Sequence, residues 1–234
     1  MTGMSAQNLV LPGAVLFDMD GTLIDSDAWW YAAETRVFDR LGFRWTPEQS
    51  TEWIGSSLLE CCEYVVEQGR LAVTPEALRD ELAATIAQIA SSEPIKWRPG
   101  AYELLELTAR LGIPSALVSS SYESFTSTIA HAAPAGTLTG HISGDMVTHP
   151  KPHPEGYLRG AAVLGVAPEF CVTFEDSVPG MEAAIAAGTH AVYVPFSAAA
   201  PTIDGMAQID SLTLVDEAAL HCIVNDEGMA AFAN

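Results

Sequence analysis

Asp18 and Asp20 are separated by one residue at the end of the apolar run Ala14-Val-Leu-Phe17, and Gly21 and Thr22 follow directly. On an extended strand, residues i and i+2 project to the same side, so this pair would set two carboxylates side by side. An Asp-x-Asp pair alone also suits a helix cap or a solvated turn. The apolar run before it and the Gly-Thr after it make it more specific: Gly21 permits a tight turn and close backbone approach, and Thr22 offers a hydroxyl. Three further segments carry reactive groups. Ser119 and Ser120 follow Ser115-Ala-Leu-Val118, Lys151 stands in a stiff loop between His149-Pro150 and Pro152-His153, and Glu175 and Asp176 follow Phe170-Cys-Val-Thr-Phe174. Together they supply hard oxygen ligands, a nucleophile, a proton donor and a cation, which are the parts a metal and phosphoryl site needs. Attack of one anion on another is repulsive, so a divalent cation and an ammonium group would have to offset the charge.

The elements that must position these groups are legible as an alternation. Strand patterns at 14–17, 115–118, 170–174 and 191–194 are interleaved with helical patterns at 100–112, 121–131, 155–164 and 180–187, most of them stopped by Gly. Alternation at this spacing implies an α/β fold with a parallel sheet covered by helices, and in such sheets ligands collect at the carboxyl ends of the strands. Residues 27–95 break the alternation. Helical patterns at 27–41, 57–68 and 74–90, the last behind Thr74-Pro75, form an insert after the first strand that would sit above the strand ends. A further strand is expected at Leu212–Val215, with a short helix after it.

The segments Asp18-Met-Asp-Gly-Thr-Leu-Ile-Asp-Ser26, Leu-Val-Ser119, Lys151-Pro and Phe174-Glu-Asp-Ser177 followed by Gly180 resemble the haloacid dehalogenase superfamily, and within it the phosphatase and β-phosphoglucomutase-like members. The resemblance spans residues 14–188. It implies a Rossmann-like three-layer core formed by residues 1–25 and 96–234, with a small helical cap domain at 26–95 that closes about linkers near Ser26 and Glu93–Lys96. It also implies a Mg²⁺-dependent reaction through an aspartyl-phosphate. Asp18 would be the nucleophile and a ligand of the metal. Asp20 would be the general acid and then the base, with its main-chain carbonyl on the metal. Ser119, with Ser120, Gly21 and Thr22 beside it, would bind the phosphoryl group, and Lys151 would neutralise charge between phosphate and Asp18. Asp176 would ligate the metal, with Glu175 as a ligand or a partner of one. The superfamily's dehalogenases lack an acid at the position of Asp20, since halide leaves unprotonated, so its presence favours phosphoryl transfer.

A phosphatase and a phosphosugar mutase share this core. The β-phosphoglucomutases carry a His that aligns near Trp30 and an Arg that aligns near Leu58; this chain has neither, which favours hydrolysis of a small phosphorylated metabolite over mutase chemistry. A non-catalytic binding role on the same fold is the third reading, and the intact set of reactive residues argues against it. Trp29, Trp30, Trp45 and Trp53 gather in the insert. Core packing accounts for such a cluster, and Trp30 and Trp53 are the candidates for a specificity wall.

Bulk composition narrows the partners. With 10 Lys and Arg against 30 Asp and Glu, and a formal charge of −20, the chain is unsuited to nucleic acid or anionic membranes. An anionic substrate then needs a local positive source. Cys61, Cys62, Cys171 and Cys222 show no zinc-ligand spacing and read as core residues in a reducing compartment. His131, His141, His149, His153 and His190 read as loop or surface residues. The sequence shows no signal-peptide pattern and no apolar stretch of membrane-spanning length, so a cytoplasmic protein is expected. Its oligomeric state is open.

Overall fold

The computed structural model describes residues 10–196 and 206–225. Six parallel strands form one sheet in the order β3-β2-β1-β4-β5-β6. They are β1 (Ala14–Phe17), β2 (Ser115–Val118), β3 (Gly140–Ile142), β4 (Cys171–Glu175), β5 (His190–Tyr193) and β6 (Ala207–Gln208). β1 is central, and every one of its residues is buried. Its continuous apolar run is the pattern that a strand covered on both faces requires. Val15 and Phe17 face one core, which holds Leu104, Phe125 and Leu220 from α5 (Ala101–Arg110), α6 (Glu123–Ala132) and α9 (Glu217–Val224). Ala14 and Leu16 face a second core with Tyr157, Ala161 and Ala183 from α7 (Glu155–Leu164) and α8 (Val178–Ala186). The result is a three-layer α/β fold. The chain runs outward from β1 through β2 to β3, then crosses back to β4 and proceeds the other way. The point where the strand order reverses lies between β1 and β4.

Between β1 and β2 the chain forms α1 (Asp27–Arg40), α2 (Pro47–Glu52), α3 (Leu58–Gly69) and α4 (Pro75–Ser92). The buried stripe Leu58, Cys61, Cys62 and Val65 of α3 packs on Leu78, Leu82 and Ile86 of α4. α4 also packs against α6 of the α/β layer. The two connections into this helical segment run side by side: the Asp25 N–H donates to the Lys96 carbonyl, and the Arg98 N–H to the Leu23 carbonyl, both at 2.8 Å.

Three details differ from the sequence expectation. Leu212–Leu214 is a 3-10 turn rather than part of a strand. The Ser211 hydroxyl accepts from the Thr213 N–H, and this local side-chain bond competes with extended pairing. The sheet is completed instead by β6 at Ala207–Gln208. The helix α2 and the strand β3 were not anticipated. Thr46 and Gln49 form a reciprocal capping box that starts α2, and β3 has only three residues, Gly-His-Ile, too few for a periodic signal. Residues 197–205 and 226–234, part of the weakly patterned tail, lie outside the described residues. Cys61, Cys62 and Cys171 are buried free thiols, and Cys222 is partly exposed. Among the described residues no helix is long and apolar enough to cross a membrane.

Candidate active site

The carboxyl ends of β1, β2 and β4 converge at the reversal point. Asp18 follows β1, and its N–H donates to the Phe174 carbonyl of β4. Lys151 enters from the loop between β3 and α7. It is 9% exposed, and its Nζ lies 2.6 Å from Asp18 Oδ1 and 2.5 Å from Glu175 Oε1. Tyr157 of α7 donates its hydroxyl to the same Glu175 oxygen at 2.8 Å. The other oxygen, Oε2, accepts from the N–H groups of Asp176 and Ser177 and from the Ser177 hydroxyl. Glu175 therefore has donors on both oxygens and serves to hold Lys151 and the turn after β4. Gly180 makes room for it, since a Cβ there would fall 1.7 Å from Glu175 Oε1.

Asp18, Glu175 and Asp176 bring one carboxylate oxygen each to within 4.8 Å of one another, and all three are buried. One ammonium faces three carboxylates. Burial, and after it the charge of Glu175, pushes Asp18 up to about 8, against the opposing pull of Lys151. Burial and the charges of Asp18 and Glu175 push Asp176 well above the usual carboxylate range. Glu175 moves the other way: burial works against its charge, but Lys151 and the hydrogen bonds outweigh it. Burial likewise disfavours charged Lys151, and Asp18 and Glu175 reverse the sign to hold its ammonium above the ordinary value. Asp18 Oδ2 is buried with no hydrogen-bond partner among the described residues, and so is Ser120 Oγ. Orphaned buried oxygens beside excess negative charge are the condition for a hard divalent cation with oxygen ligands. Gly21, at φ +82°, preserves that space, because a Cβ there would lie 1.9 Å from Asp176 Oδ2. Thr22 Oγ1 lies 3.5 Å from Asp176 Oδ1.

Asp20 stands apart from that cluster, half-buried, in a net of donors. Ser26 Oγ (2.5 Å) and Trp30 Nε1 (2.9 Å) donate to Oδ1, and Ser121 Oγ (2.6 Å) and Ser119 Oγ (3.4 Å) to Oδ2. The two aspartates of the Asp-x-Asp pair thus occupy different environments, one locked to an ammonium and one held by neutral donors. Trp30 comes from α1, so the helical insert touches this carboxylate directly. A cavity of about 350 Å³ opens above Asp18, Asp20 and Asp176. Both Trp30 and Trp53 line it, and Trp53 packs on Tyr64 with ring centroids 5.4 Å apart.

All the residues singled out from the sequence, Asp18, Asp20, Gly21, Thr22, Ser119, Ser120, Lys151, Glu175 and Asp176, meet at one end of the sheet. Ser26, Ser121, Tyr157 and Glu34 were not singled out. For Glu34 a signal existed, since Asp27, Trp30, Tyr31 and Glu34 follow the i, i+3, i+4, i+7 spacing of one helix face. Away from the site, His149 and His153 lie at the surface with ring centroids 4.5 Å apart, and Glu155 accepts from the ring of His149.

Comparison with known proteins agrees with this arrangement. Residues 15–194 match the family described as haloacid dehalogenase-like hydrolase. Hexitol phosphatase A of Escherichia coli strain K12 is 30% identical over 192 residues, covering 81% of this chain and 86% of that protein. The bifunctional riboflavin kinase/FMN phosphatase of Arabidopsis thaliana is 32% identical over 187 residues, covering 79% of this chain but 49% of that longer protein. The crystal structure of CbbY from Rhodobacter sphaeroides in complex with xylulose-(1,5)bisphosphate superposes with a TM-score of 0.82 at 24% identity, over 90% of this chain and 99% of that one, a likeness of fold. A match over most of its length, on a sheet that gathers these carboxylates and one lysine at its reversal point, makes the chain a member of the haloacid dehalogenase-like hydrolases.

Proposed function

We propose that the protein is a Mg²⁺-dependent phosphatase that hydrolyses a small phosphomonoester through an aspartyl-phosphate on Asp18. The observation that carries this reading is the division of labour between two carboxylates at one strand end. Asp18 is fixed by Lys151, with no partner for its second oxygen among the described residues, and Asp20 is mounted nearby on neutral donors. Asp18 and Asp176 would hold the cation together with the main-chain carbonyl of Asp20, and Glu175 would orient Lys151 rather than ligate. The cation, when bound, neutralises the phosphoryl oxygens and the buried carboxylates. Ser119, with the Ser120 hydroxyl, which has no partner among the described residues, receives a phosphoryl oxygen. Lys151 keeps the Asp18 carboxylate in one orientation and balances charge as the carboxylate attacks phosphorus.

Asp20 supplies the proton for the departing oxygen. The indole N–H of Trp30 can only donate, so Asp20 Oδ1 must remain an acceptor. The proton then sits on Oδ2, beside Ser119 and Ser121, whose hydroxyls can turn to accept. Once the alcohol has left, the same carboxylate takes a proton from water as that water attacks the phosphorus, releasing inorganic phosphate and restoring Asp18. In this reading residues 1–25 and 96–234 form the catalytic core, and residues 26–95 form a cap that excludes bulk water when it closes. Trp30→Phe keeps the ring against Phe125, its edge-to-face neighbour at 6.0 Å, and removes the donor to Asp20. The expected result is a fall in kcat of about 10-fold, the loss of one hydrogen bond to a charged group, with KM nearly unchanged in steady-state phosphate release.

The direct test is phosphate release from a panel of phosphorylated metabolites in Mg²⁺ and in EDTA. Mg²⁺-dependent release supports the reading. Interconversion of glucose 1-phosphate and glucose 6-phosphate without net release would replace it with a mutase, and activity unaffected by EDTA would remove the metal from the scheme.

A further inference from the structure

The inner face of α1 carries a group that the chemistry above does not use. Glu34 is 6% exposed and lines the cavity one helical turn beyond Trp30, about 6 Å farther along the helix axis. Two neutral side chains donate to it, Trp45 Nε1 at 2.8 Å and Ser50 Oγ, and both go to Oε2. No described residue donates to Oε1. A buried carboxylate that lines a cavity, with donors on only one of its oxygens, has room to accept another.

The rest of the wall defines what that donor can belong to. Asp27 and Glu34 add two acidic groups to those at the cavity floor, and among the described residues neither Lys nor Arg lines the cavity. A second phosphate or a carboxylate on the leaving group would therefore meet only negative charge and unhelpful desolvation. The hydroxyls of Ser50, Thr51, Ser56 and Ser57 and the rings of Trp30 and Trp53 offer neutral hydrogen bonds and flat apolar faces, the pairing of surfaces that suits a polyhydroxy chain or ring. The volume, about 350 Å³, is at the small end for ligand sites.

We propose that Glu34 is a specificity residue that accepts a hydrogen bond from a hydroxyl of the leaving group, and that the substrate is the monophosphate of an uncharged polyhydroxy compound. This rests on the phosphatase reading and narrows it. Glu34 acts on recognition rather than on the bond that breaks, so its loss registers on substrates that carry the hydroxyls and spares one that lacks them.

The experiment compares kcat/KM for sorbitol 6-phosphate, 3-phosphoglycerate, phosphoethanolamine and p-nitrophenyl phosphate in the wild type, Glu34→Ala and Glu34→Gln, all with Mg²⁺. The wild type is expected to favour sorbitol 6-phosphate over 3-phosphoglycerate. Glu34→Ala is expected to lose about 10- to 100-fold on sorbitol 6-phosphate, mainly in KM, with p-nitrophenyl phosphate held within about 3-fold. Glu34→Gln keeps an acceptor for Trp45 and Ser50 and is expected to fall between the two. Equal losses on both substrates in the Gln as well as the Ala variant would assign Glu34 to cap packing and overturn the inference. So would a wild-type preference for 3-phosphoglycerate or for phosphoethanolamine. If the wild type hydrolyses none of the four, including p-nitrophenyl phosphate, the phosphatase reading itself fails, and the inference with it.

Discussion

Asp18→Asn is expected to abolish turnover, lowering kcat by about four orders of magnitude or more, as removal of a covalent nucleophile does elsewhere. The amide is nearly isosteric and can still accept from Lys151 through its oxygen, so the loss would not come from collapse of the site. Far less nucleophilic than a carboxylate, it cannot form the acyl phosphate. Rapid quenching during turnover of a ³²P-labelled substrate separates the two ways in which activity could fall. The wild type should carry label on the protein and the Asn variant none. Labelled protein from the variant, or hydrolysis within 10-fold of wild type, would place the nucleophile elsewhere. The geometry makes this substitution the sharpest available, since Asp18 is the carboxylate locked by Lys151 on one oxygen and, among the described residues, without a partner on the other.

What could be read from the chain before folding follows from which facts are local. β1 was legible because a strand buried on both faces favours an unbroken apolar run, and β1 is apolar throughout, while the runs before Ser119, Glu175 and Tyr193 are interrupted only by Ser115, Thr173 and His190. The two carboxylates at the end of β1 were legible as a site because the Asp-x-Asp spacing and the Gly-Thr turn are local constraints. The serine and lysine were legible because parallel connectivity returns each strand end to the same edge. What could not be read depends on distance. Glu175 was read as a metal ligand or a partner of one, and the contacts that bear on the choice, from Lys151, Tyr157 and two backbone N–H groups to its oxygens, are made by the fold. Trp30 was considered as a stacking wall, and it also donates to Asp20. No periodicity encodes either contact. Leu212–Val215 has strand composition, but a capping serine and the end of the sheet give it a turn. The boundaries at 25/26 and 95/96 remain part of the proposal. The paired backbone bonds between residues 23–25 and 96–98 are where such a hinge would be anchored.

The second large effect concerns stability rather than rate. Three buried carboxylates against one ammonium leave uncompensated negative charge at Asp18, Glu175 and Asp176. Without a divalent cation, the protein is expected to lose stability as pH rises. Asp18 has its folded pKa raised from 3.8 to about 8, so the stability linked to its proton is full below the unfolded value and is lost as pH climbs through about 8. Asp176 shifts in the same direction. In EDTA the melting temperature should therefore fall between pH 6 and pH 9, and Mg²⁺ should restore it more at the alkaline end. A saturating cation at about 100 times its dissociation constant contributes about 2.7 kcal/mol, a rise of roughly 5–10 °C for a chain of this size. Asp176→Asn removes a carboxyl that would otherwise take on charge in the cluster as pH rises, while keeping the side chain's shape. The variant is expected to melt higher than wild type in EDTA, by several degrees, to lose most of the Mg²⁺ shift, and to show a shallower alkaline decline. Its activity should fall by at least about 100-fold, since the same carboxylate would hold the cation. A variant less stable than wild type in EDTA would mean that Asp176 is held by contacts stronger than its repulsion. A Mg²⁺ shift equal to wild type would place the cation outside this cluster. Stability and activity thus move in opposite directions for a single substitution, which is the signature of charges gathered for a ligand rather than for the fold.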